Sequence, residues 1–393
     1  MNFSFKLPTR IIMEPGLRHR IGQHLAGEDI RKVLIVTDPG IQKSGLLDGI
    51  HASLRAEGID YLETAEVKPN PRSEDCNRIA EQYRDHGLQG ILAVGGGSAI
   101  DAAKAISVML THDGRIEDYE GFDTLQRDIL PIIAVPTTAG TGSEVTIYAV
   151  ITDMQRRYKM SLGDLRMAPR LALLDTEITA TLPPAIAAAT GMDALTHAIE
   201  AYTGRVASPI TDGMALHAIR LIAANLVAAV EEPGNADARQ QMLVASLMAG
   251  AAFGNSDVAS VHCISEAIGA MYDTPHGVAN AIFLPFMFRH NCDTNPARHA
   301  QVAYALGIDP TLPEAEAAEA AADHLTELSR RLGIPRFRDV PGVDEADFQV
   351  IAEKSKINMS DGSNAKTMTV ADYLDVIRKA YALGQGHSDV AAE

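Results

Sequence analysis

The pattern of secondary-structure signals changes once along the chain, near Pro183 and Pro184, and this change constrains the fold most. Before it, short aliphatic and β-branched runs alternate with segments of helical periodicity. The five strand-like runs cover residues 32–38, 61–67, 90–94, 129–135 and 171–174, and helical patterns such as 44–57 and 73–86 lie between them. Strands and helices in alternation predict an α/β domain built on a parallel sheet.

After Pro184 the strand-like runs stop, and long segments rich in Ala, Leu, Ile and Met follow. Their apolar residues recur at helical spacing, and Gly or Pro residues separate them. These segments are 184–203, 209–231, 236–254, 258–271, 278–291, 312–332 and 369–382. The sequence therefore predicts an α/β domain over residues 1–182 and an all-helical domain over residues 183–393, with a frayed tail from residue 383 onward.

Composition and charge exclude several classes of protein. Hydrophobic residues make up 46% and charged residues 22% of the chain, as in ordinary globular proteins. The formal net charge of −17 disfavours nucleic acid and anionic membranes as partners. The N-terminus lacks the apolar core of a signal peptide, and the longest nearly apolar stretches, such as 221–230, fall short of the ~20 residues that span a bilayer. We expect a cytoplasmic protein.

Three segments follow predicted strands, where parallel α/β sheets bind their ligands. The motif GGGS at 95–98 precedes a helix that begins near residue 99, and a phosphate can approach such glycines and the free N–H groups behind them. The hydroxyl-rich stretch TTAGTGSE covers 137–144, and Asp38 could bind both hydroxyls of a ribose. The alternative is that the glycines form tight turns needed for packing and that Asp38 is an ordinary turn residue.

The helical half contains Asp and His residues at metal-ligand spacing. Asp193 and His197 are four positions apart, which places them on one face of a helix. His262 opens a second helical stretch, and His276 follows it in the turn DTPHG. Three imidazoles and one carboxylate suit Fe²⁺ or Zn²⁺ better than Mg²⁺ or Ca²⁺. The alternative is that these are hydrogen-bonded core histidines and a surface ion pair, because the sequence alone does not bring the two segments together.

Four motifs resemble those of the iron-containing, or group III, alcohol dehydrogenases. They are GGGSAIDAAKA at 95–105, PTTAGTGSEVT at 136–146, GMDALTHAIEAY at 191–202 and MYDTPHGVANAIFLP at 271–285. The resemblance runs in order from about residue 8 to residue 381. It implies an α/β N-terminal nucleotide-binding domain plus an all-α C-terminal domain, an architecture shared with dehydroquinate synthase, and an active site in the cleft between the domains.

The resemblance also implies which residues bind the metal and the cofactor. The metal ligands would be Asp193, His197, His262 and His276. The cofactor contacts would be Asp38, Asn70, Gly97, Ser98, Thr137, Thr138, Thr146 and Lys159. The expected metal is Fe²⁺, with Zn²⁺ or another divalent ion as the alternative. The expected cofactor is NAD rather than NADP, because a carboxylate at Asp38 repels a 2′-phosphate.

The sequence departs from the family pattern in two places: at 364–366, where NAK stands in a loop that often reads Asn-Pro-Arg in relatives, and at Glu266. Many relatives have His-x-x-x-His beginning at the third metal ligand, whereas here the stretch is HCISE and ends in Glu266. Four positions after His262 lies one turn along the same helix face, so Glu266 is predicted beside the substrate. There it could accept a hydrogen bond from a substrate hydroxyl, take the alcohol proton through a water, or act as a fifth metal ligand. The alternative is a Glu turned aside into an ion pair.

The activity that the resemblance implies is reversible hydride transfer between a small alcohol and a nicotinamide, in an enzyme that is at least a homodimer. An ionised Glu266 leads us to expect neutral or hydroxylated short-chain substrates rather than anionic ones. Two other functions stay open. A non-redox, NAD-using lyase of the dehydroquinate synthase type would need several Lys and Arg residues, and 183–285 contains few. A metal- or nucleotide-binding protein without catalysis is the second.

Overall fold

The computed structural model describes residues 2–383, so the predicted frayed tail lies, beyond Leu383, outside the described residues. The strands are β1 Arg10–Glu14, β2 Lys32–Val36, β3 Asp60–Thr64, β4 Gly90–Gly95, β5 Gly121–Phe122, β6 Ile132–Pro136, β7 Tyr148–Asp153, β8 Tyr158–Gly163 and β9 Leu171–Asp175. The helices of the first half are α1 Ile21–Gly27, α2 Pro39–Lys43, α3 Leu47–Ala56, α4 Ser73–Tyr83 and α5 Gly97–Thr111. Those of the second half are α6 Pro184–Thr203, α7 Pro209–Glu231, α8 Ala236–Phe253, α9 Ser260–Tyr272, α10 His276–Asn291, α11 Pro296–Ala305, α12 Glu314–Arg331, α13 Phe348–Lys356 and α14 Val370–Ala382.

Six strands form a parallel sheet in the order β1-β9-β6-β4-β2-β3. Helices cover both of its faces. In β2, Val33 and Ile35 pack with α1 and α3, while Leu34 and Val36 pack with α4 and α5. A strand buried on both sides needs apolar residues at every position, which explains the continuous aliphatic runs in the sequence. The predicted parallel α/β region is confirmed.

Part of the first half had no sequence prediction. β1 pairs with β9 at the edge of the sheet, and its half-exposed residues weaken the hydrophobic signal. β7 and β8 form an antiparallel hairpin, and β5 adds to it to make a second, three-stranded sheet. The hairpin packs against α5, and it carries Lys159 in β8 at a buried position.

The second half is helical throughout the residues that the structure describes, as predicted. α6 is its central helix and packs against α7, α8 and α10. It begins at Pro184, because a proline in the first turn lacks only an N–H that would have no partner there. Two short helices, α11 and α13, were not predicted. His276 was expected in a turn but is the first residue of α10, since the helix starts directly after Pro275.

Helix α7 corrects the expectation that the nearly apolar stretches of this chain are too short to span a bilayer. Among the helices in residues 2–383, only Pro209–Glu231 is long and apolar enough to cross a membrane by length and composition, with a mean hydropathy of 1.7. That expectation was based on runs of uninterrupted apolar residues, whereas the few polar residues within α7 leave its mean hydropathy high. The observation is weak evidence for a membrane span, because core helices pass the same test, and α7 packs along α6 and α8.

Candidate active site in the cleft

A cavity of about 150 Å³ lies between the carboxyl edge of the parallel sheet and the helical half. Both halves contribute predicted site residues to its walls. The first half provides Asn70, Gly97, Ser98, Thr146 and Lys159, and the second half provides Asp193, His197, His262, Glu266 and His276. The cavity therefore brings together residues that are far apart in sequence and that belong to different predicted domains.

The four predicted metal ligands meet in this cavity. Asp193 and His197 lie one turn apart on α6, His262 lies in the first turn of α9, and His276 begins α10. One ligand atom from each of the four lies within 4.8 Å of the others. Three of the residues are buried and His276 is partly exposed. The two segments that the sequence left unconnected are brought together because α10 packs against both α6 and α9.

Asn280 identifies the ligand atoms that face one another. Its Nδ2 lies 2.7 Å from Asp193 Oδ1, 3.0 Å from His262 Nε2 and 3.2 Å from His276 Nε2. Its Oδ1 accepts a hydrogen bond from the Ser265 hydroxyl. The sequence analysis did not select Asn280, although it lies one turn after His276 within the fourth motif.

Backbone and carboxylate acceptors orient two of the imidazoles. His262 Nδ1 lies 2.5 Å from Glu200 Oε2, and His197 Nδ1 lies 3.3 Å from the carbonyl oxygen of Gly140. Since a carboxylate and a carbonyl only accept, both Nδ1 atoms donate, and the Nε2 atoms are the ones that the two rings can offer to a metal. Glu200 was also missed, although it follows His197 by three positions on the same helix face.

The protonation states of three of the four ligands suit metal binding, and His262 is the exception. Burial lowers the pKa of His197 to about 4 and that of His276 well below its usual value, so both rings are neutral at pH 7. Burial also acts on His262, but the Glu200 carboxylate outweighs it and raises the pKa of that ring. The histidines offset the burial of Asp193 and lower the pKa of its carboxyl. An ionised carboxylate with imidazole nitrogens is a donor set that fits a borderline divalent metal.

On the sheet side, the glycine motif places a helix N-terminus at the cavity. α5 begins at Gly97, and Gly97 and Ser98 line the cavity wall. A Cβ on Gly97 would lie 2.6 Å from Thr141 Cγ2, so the two loops can approach only because this residue is glycine. The close approach supports the packing alternative considered for the glycines, and it is compatible with the nucleotide one, since Gly97 and Ser98 also line the cavity.

Asp38, Thr137 and Thr138 lie beside the glycine motif but outside the cavity wall. Asp38 Oδ1 accepts hydrogen bonds from the backbone N–H groups of residues 40 and 41, at 2.8 and 3.0 Å, and so caps α2. Its Oδ2 points toward Gly95, where an added Cβ would lie 3.4 Å away. Thr137 N donates to the carbonyl oxygen of Gly95 at 3.0 Å. Asp38 is therefore a turn residue that still has one carboxylate oxygen directed at the predicted nucleotide loop.

Asn70 connects the two halves. Lys159 Nζ donates to Asn70 Oδ1 at 2.7 Å, and Asn70 Nδ2 donates to Asp273 Oδ1 at 2.9 Å. Asn70 and Asp273 both have positive φ angles, of 53° and 54°. Asp273 also lies 3.5 Å from the guanidinium of Arg72. Because Asp273 precedes His276 by three residues, the loop after β3 is bonded directly to the turn that leads into the metal cluster.

Lys104 is a further residue that the sequence analysis missed. It is fully buried on α5. Its Nζ donates to Ser143 O at 2.8 Å, Ser143 Oγ at 3.0 Å, Thr146 Oγ1 at 3.2 Å and Tyr148 O at 2.6 Å. Burial lowers the pKa of Lys104 to about 8. The side chain thus fastens the hydroxyl-rich loop to the helix that carries the glycine motif.

Glu266 is buried in the cavity wall. Its Oε2 accepts a hydrogen bond from Asn358 Nδ2 at 2.6 Å, and it forms no ion pair within 4.0 Å in the part of the chain that the structure describes. Burial raises the pKa of Glu266, although the charge of Lys159 and the bond from Asn358 oppose the shift. The ion-pair alternative considered from the sequence is therefore replaced by a hydrogen bond to an uncharged amide.

A doubly covered parallel sheet that presents a glycine-rich helix start to a buried Asp-His₃ cluster is typical of a metal- and nucleotide-dependent enzyme. Residues 8–176 match the iron-containing alcohol dehydrogenase family, and residues 187–381 match the C-terminal domain of that family. The chain belongs to the iron-containing alcohol dehydrogenase family. It is an alcohol dehydrogenase or aldehyde reductase, as the four motifs predicted, and the lyase alternative is not favoured.

Individual relatives are similar over nearly their whole length. The chain is 38% identical to a 1,3-propanediol dehydrogenase of Citrobacter freundii, over 96% of this chain and 99% of the relative. It is 37% identical to a choline dehydrogenase of Bacillus subtilis (strain 168), over 96% of this chain and 93% of the relative. A crystal structure of a 1,3-propanediol oxidoreductase superposes with a TM-score of 0.93 at 38% identity, covering 97% of this chain and 100% of the other.

Proposed function

We propose that this chain is an NAD-linked dehydrogenase that interconverts short-chain alcohols and aldehydes at a divalent metal site formed by Asp193, His197, His262 and His276. The convergence of one ligand atom from each of these residues within 4.8 Å, in a cavity that α5 enters with its N-terminus, carries the proposal. Fe²⁺ is the proposed metal. When bound, it would supply a Lewis acid for the alcohol or carbonyl oxygen.

The protein residues of this site have separate tasks. Glu200 and Gly140 hold the rings of His262 and His197 with Nε2 directed inward. Phe253 stacks on the ring of His197, with centroids 4.2 Å apart, and shields this side of the cluster from water. These contacts fix the donor atoms before any ligand arrives, which reduces the reorganisation that accompanies the reaction.

The nucleotide would lie along the carboxyl edge of the sheet. We propose contacts from Asp38, Asn70, Gly97, Ser98, Thr137, Thr138, Thr146 and Lys159. The helix start at Gly97 is positioned to receive a phosphate, and the free oxygen of Asp38 to receive ribose hydroxyls. The charge of Asp38 favours NAD over NADP, because it would repel a 2′-phosphate.

Glu266 is proposed to act at the substrate. Its Oε2 is occupied by Asn358, so its other oxygen is the one available to accept a substrate hydroxyl. The relatives named for 1,3-propanediol suggest small hydroxylated alcohols as one substrate class. Neutral or hydroxylated substrates are proposed to react better than anionic ones.

The remaining features of the protein are also proposals. The domains are proposed to divide between residues 182 and 183, since the last strand ends at Asp175 and α6 begins at Pro184. A homodimer or higher homo-oligomer is proposed because β1 is an edge strand whose outer backbone groups are available to a second chain. All three cysteines are free and buried, which is compatible with the reducing cytoplasm.

One preparation can test the function. The purified protein is analysed for bound metals and then supplied with NADH or NADPH and a panel of short aldehydes, while cofactor oxidation is followed at its absorption band. Turnover that disappears on chelation and returns with Fe²⁺ or Zn²⁺ supports the proposal. Equal turnover in a metal-free preparation, or no oxidation of either cofactor with any aldehyde after metal addition, contradicts it.

A further inference from the structure

We propose that Gly269 is a positioning residue for Lys159, because a helix α9 without a side chain at 269 leaves room for the ammonium group of the lysine at the cavity wall. This inference rests on the proposed function, since Lys159 is one of the proposed cofactor contacts. Lys159 lies on β8 in the first half and Gly269 lies on α9 in the second half, so the pair spans the cleft. The residue at position 269 therefore controls how well the lysine can meet the cofactor.

Lys159 has unused hydrogen-bond donors at the cavity wall. Its side chain is buried and lines the cavity. An ammonium group has three N–H donors, and among residues 2–383 that of Lys159 has one acceptor, Asn70 Oδ1 at 2.7 Å. Burial lowers the pKa of Lys159, and the carboxylate of Glu266 is the charge that opposes this shift most. The two remaining donors are available to a ligand that carries acceptor oxygens.

Gly269 determines how close the lysine can lie to α9. A Cβ added to Gly269 would lie 2.9 Å from Lys159 Nζ and 3.0 Å from Lys159 Cε. These distances are well below the ~3.5–4.0 Å at which non-bonded carbon atoms pack. The lysine could therefore not keep its present position beside any residue larger than glycine.

The close contact involves the end of the lysine side chain and no backbone atom. After the two lysine atoms, the nearest neighbour of the added Cβ would be the carbonyl oxygen of Thr274, at 3.5 Å, which is an ordinary van der Waals distance. The long stem of a lysine is flexible, so its ammonium group can move away from an added methyl group. A methyl group at 269 would therefore leave the packing of α9 intact and displace Nζ from its place beside Asn70.

Backbone conformation does not explain a glycine at this position. Gly269 lies inside α9, which runs from Ser260 to Tyr272, and its φ angle is not in the left-handed region. Glycine in the interior of a helix is less stable than alanine, so on local grounds alone alanine would be the better residue here. The approach of Lys159 is the contact that alanine would not allow.

The first test measures the affinity of the metal-loaded protein for NADH by fluorescence titration. We expect Lys159→Ala and Gly269→Ala each to weaken binding about tenfold or more, which is the usual effect of losing a hydrogen bond to a charged group. The matched control is Gly213→Ala on α7, where an added Cβ would have no neighbour within 4 Å among the described residues, and it should leave the affinity unchanged. Wild-type affinity in either of the first two variants overturns the inference.

A double variant shows whether Gly269 acts through Lys159. If the methyl group added at 269 only displaces the ammonium group, it has nothing to displace once the lysine has been replaced. In the Lys159→Ala background, Gly269→Ala should therefore weaken NADH binding by less than about twofold further. A second loss of about tenfold would show that position 269 acts independently of the lysine and would refute the inference.

Thermal denaturation separates positioning from a purely structural role. The melting temperature of the Gly269→Ala protein should stay close to that of the wild type, because the higher helix propensity of alanine offsets the lost hydrogen bond to Asn70. The bound metal should also be unchanged, since neither Gly269 nor Lys159 is a proposed ligand. A Gly269→Ala protein that does not fold would contradict the inference, because the added methyl group should meet only the end of the lysine.

Turnover distinguishes failure of this inference from failure of the proposed function. Wild-type protein that binds NADH but oxidises it with no aldehyde would refute the proposed function, and the NADH affinities of the variants would still decide the role of Gly269. Wild-type protein that turns over, with equal NADH affinity in wild type and Gly269→Ala, would refute the inference and leave the function in place.

Discussion

Glu200 Oε2 lies 2.5 Å from His262 Nδ1, and both side chains are buried. The same carboxylate accepts the backbone N–H groups of Ala259 and Val261, at 2.9 and 2.7 Å. A single side chain on α6 therefore fixes the orientation of a ring on α9 and also satisfies two N–H groups where α9 begins. Metal-binding histidines commonly have such a carboxylate partner, which sets their tautomer and strengthens them as donors.

The first prediction concerns this pair. Glu200→Gln keeps the shape and removes the charge, so the His262 ring becomes a weaker and less well-oriented donor. We expect metal affinity to fall about 10–100-fold. Competition with a chelator of known affinity measures it, and Glu316→Gln, exposed on α12, is the control. Unchanged affinity in Glu200→Gln would show that the carboxylate does not support metal binding.

The second prediction separates the metal from the cofactor. His262→Ala removes one donor of the cluster, so we expect loss of bound metal and loss of turnover. The nucleotide contacts lie on the sheet side of the cavity, so the dissociation constant for NADH should change by less than about threefold. Metal analysis and NADH fluorescence titration measure the two effects. Full activity in a metal-free preparation of this variant would contradict the assignment.

The third prediction uses the two oxygens of Asp38. Asp38→Asn retains an oxygen that can cap α2 and removes the charge near Gly95. We expect the preference for NADH over NADPH to fall by about tenfold or more. The measurement is kcat/KM for both cofactors, with Asp48→Asn on α3 as the control. Wild-type protein that uses NADPH better than NADH would refute the role of Asp38.

The fourth prediction concerns pH and Glu144, whose buried Oε1 has no hydrogen-bond partner. Burial raises the pKa of this carboxyl from 4.5 to about 7. The Glu144 carboxyl therefore binds its proton more tightly in the folded state than in the unfolded state. The contribution of this difference to the free energy of unfolding is fully present below pH 4.5 and is lost as the pH rises through 7. The loss is on the order of 3 kcal/mol.

Glu144→Gln should remove that dependence. At pH 5 the variant and the wild type should have similar free energies of unfolding, and at pH 8 the variant should be the more stable of the two. Urea denaturation at a series of pH values measures the difference. A difference that stays constant between pH 5 and pH 8 would mean that Glu144 does not titrate in this range.

The fold could be predicted where burial is uniform. β4, β6 and β9 are buried at every position, so they appear in the sequence as unbroken aliphatic runs. β1 is half exposed, and β8 places Lys159 among buried residues, so neither has that signal. A lysine in a buried strand is interpretable only once its acceptor, Asn70, is known to lie next to it in space.

The residues of the site were likewise predictable only in part. Asp193 and His197 were found because the helical repeat alone places them together. Glu200 and Asn280 are ordinary polar residues in the sequence, and only the packing of α6, α9 and α10 gives them their partners. Lys104 would be assigned to solvent by its chemistry, and the loop around residues 143–148 buries it.

The hydrogen bond from Asn70 to Asp273 has a thermodynamic consequence. Asn70 belongs to the proposed nucleotide contacts, and Asp273 lies in the turn that leads into His276. Positions of the loop and the turn are therefore interdependent across the cleft. Linkage between the two sites is reciprocal. The factor by which bound nucleotide changes the affinity for metal equals the factor by which bound metal changes the affinity for nucleotide. The small change in NADH affinity that we expect on loss of the metal therefore sets the same limit, about threefold, on the change in metal affinity that bound NADH causes.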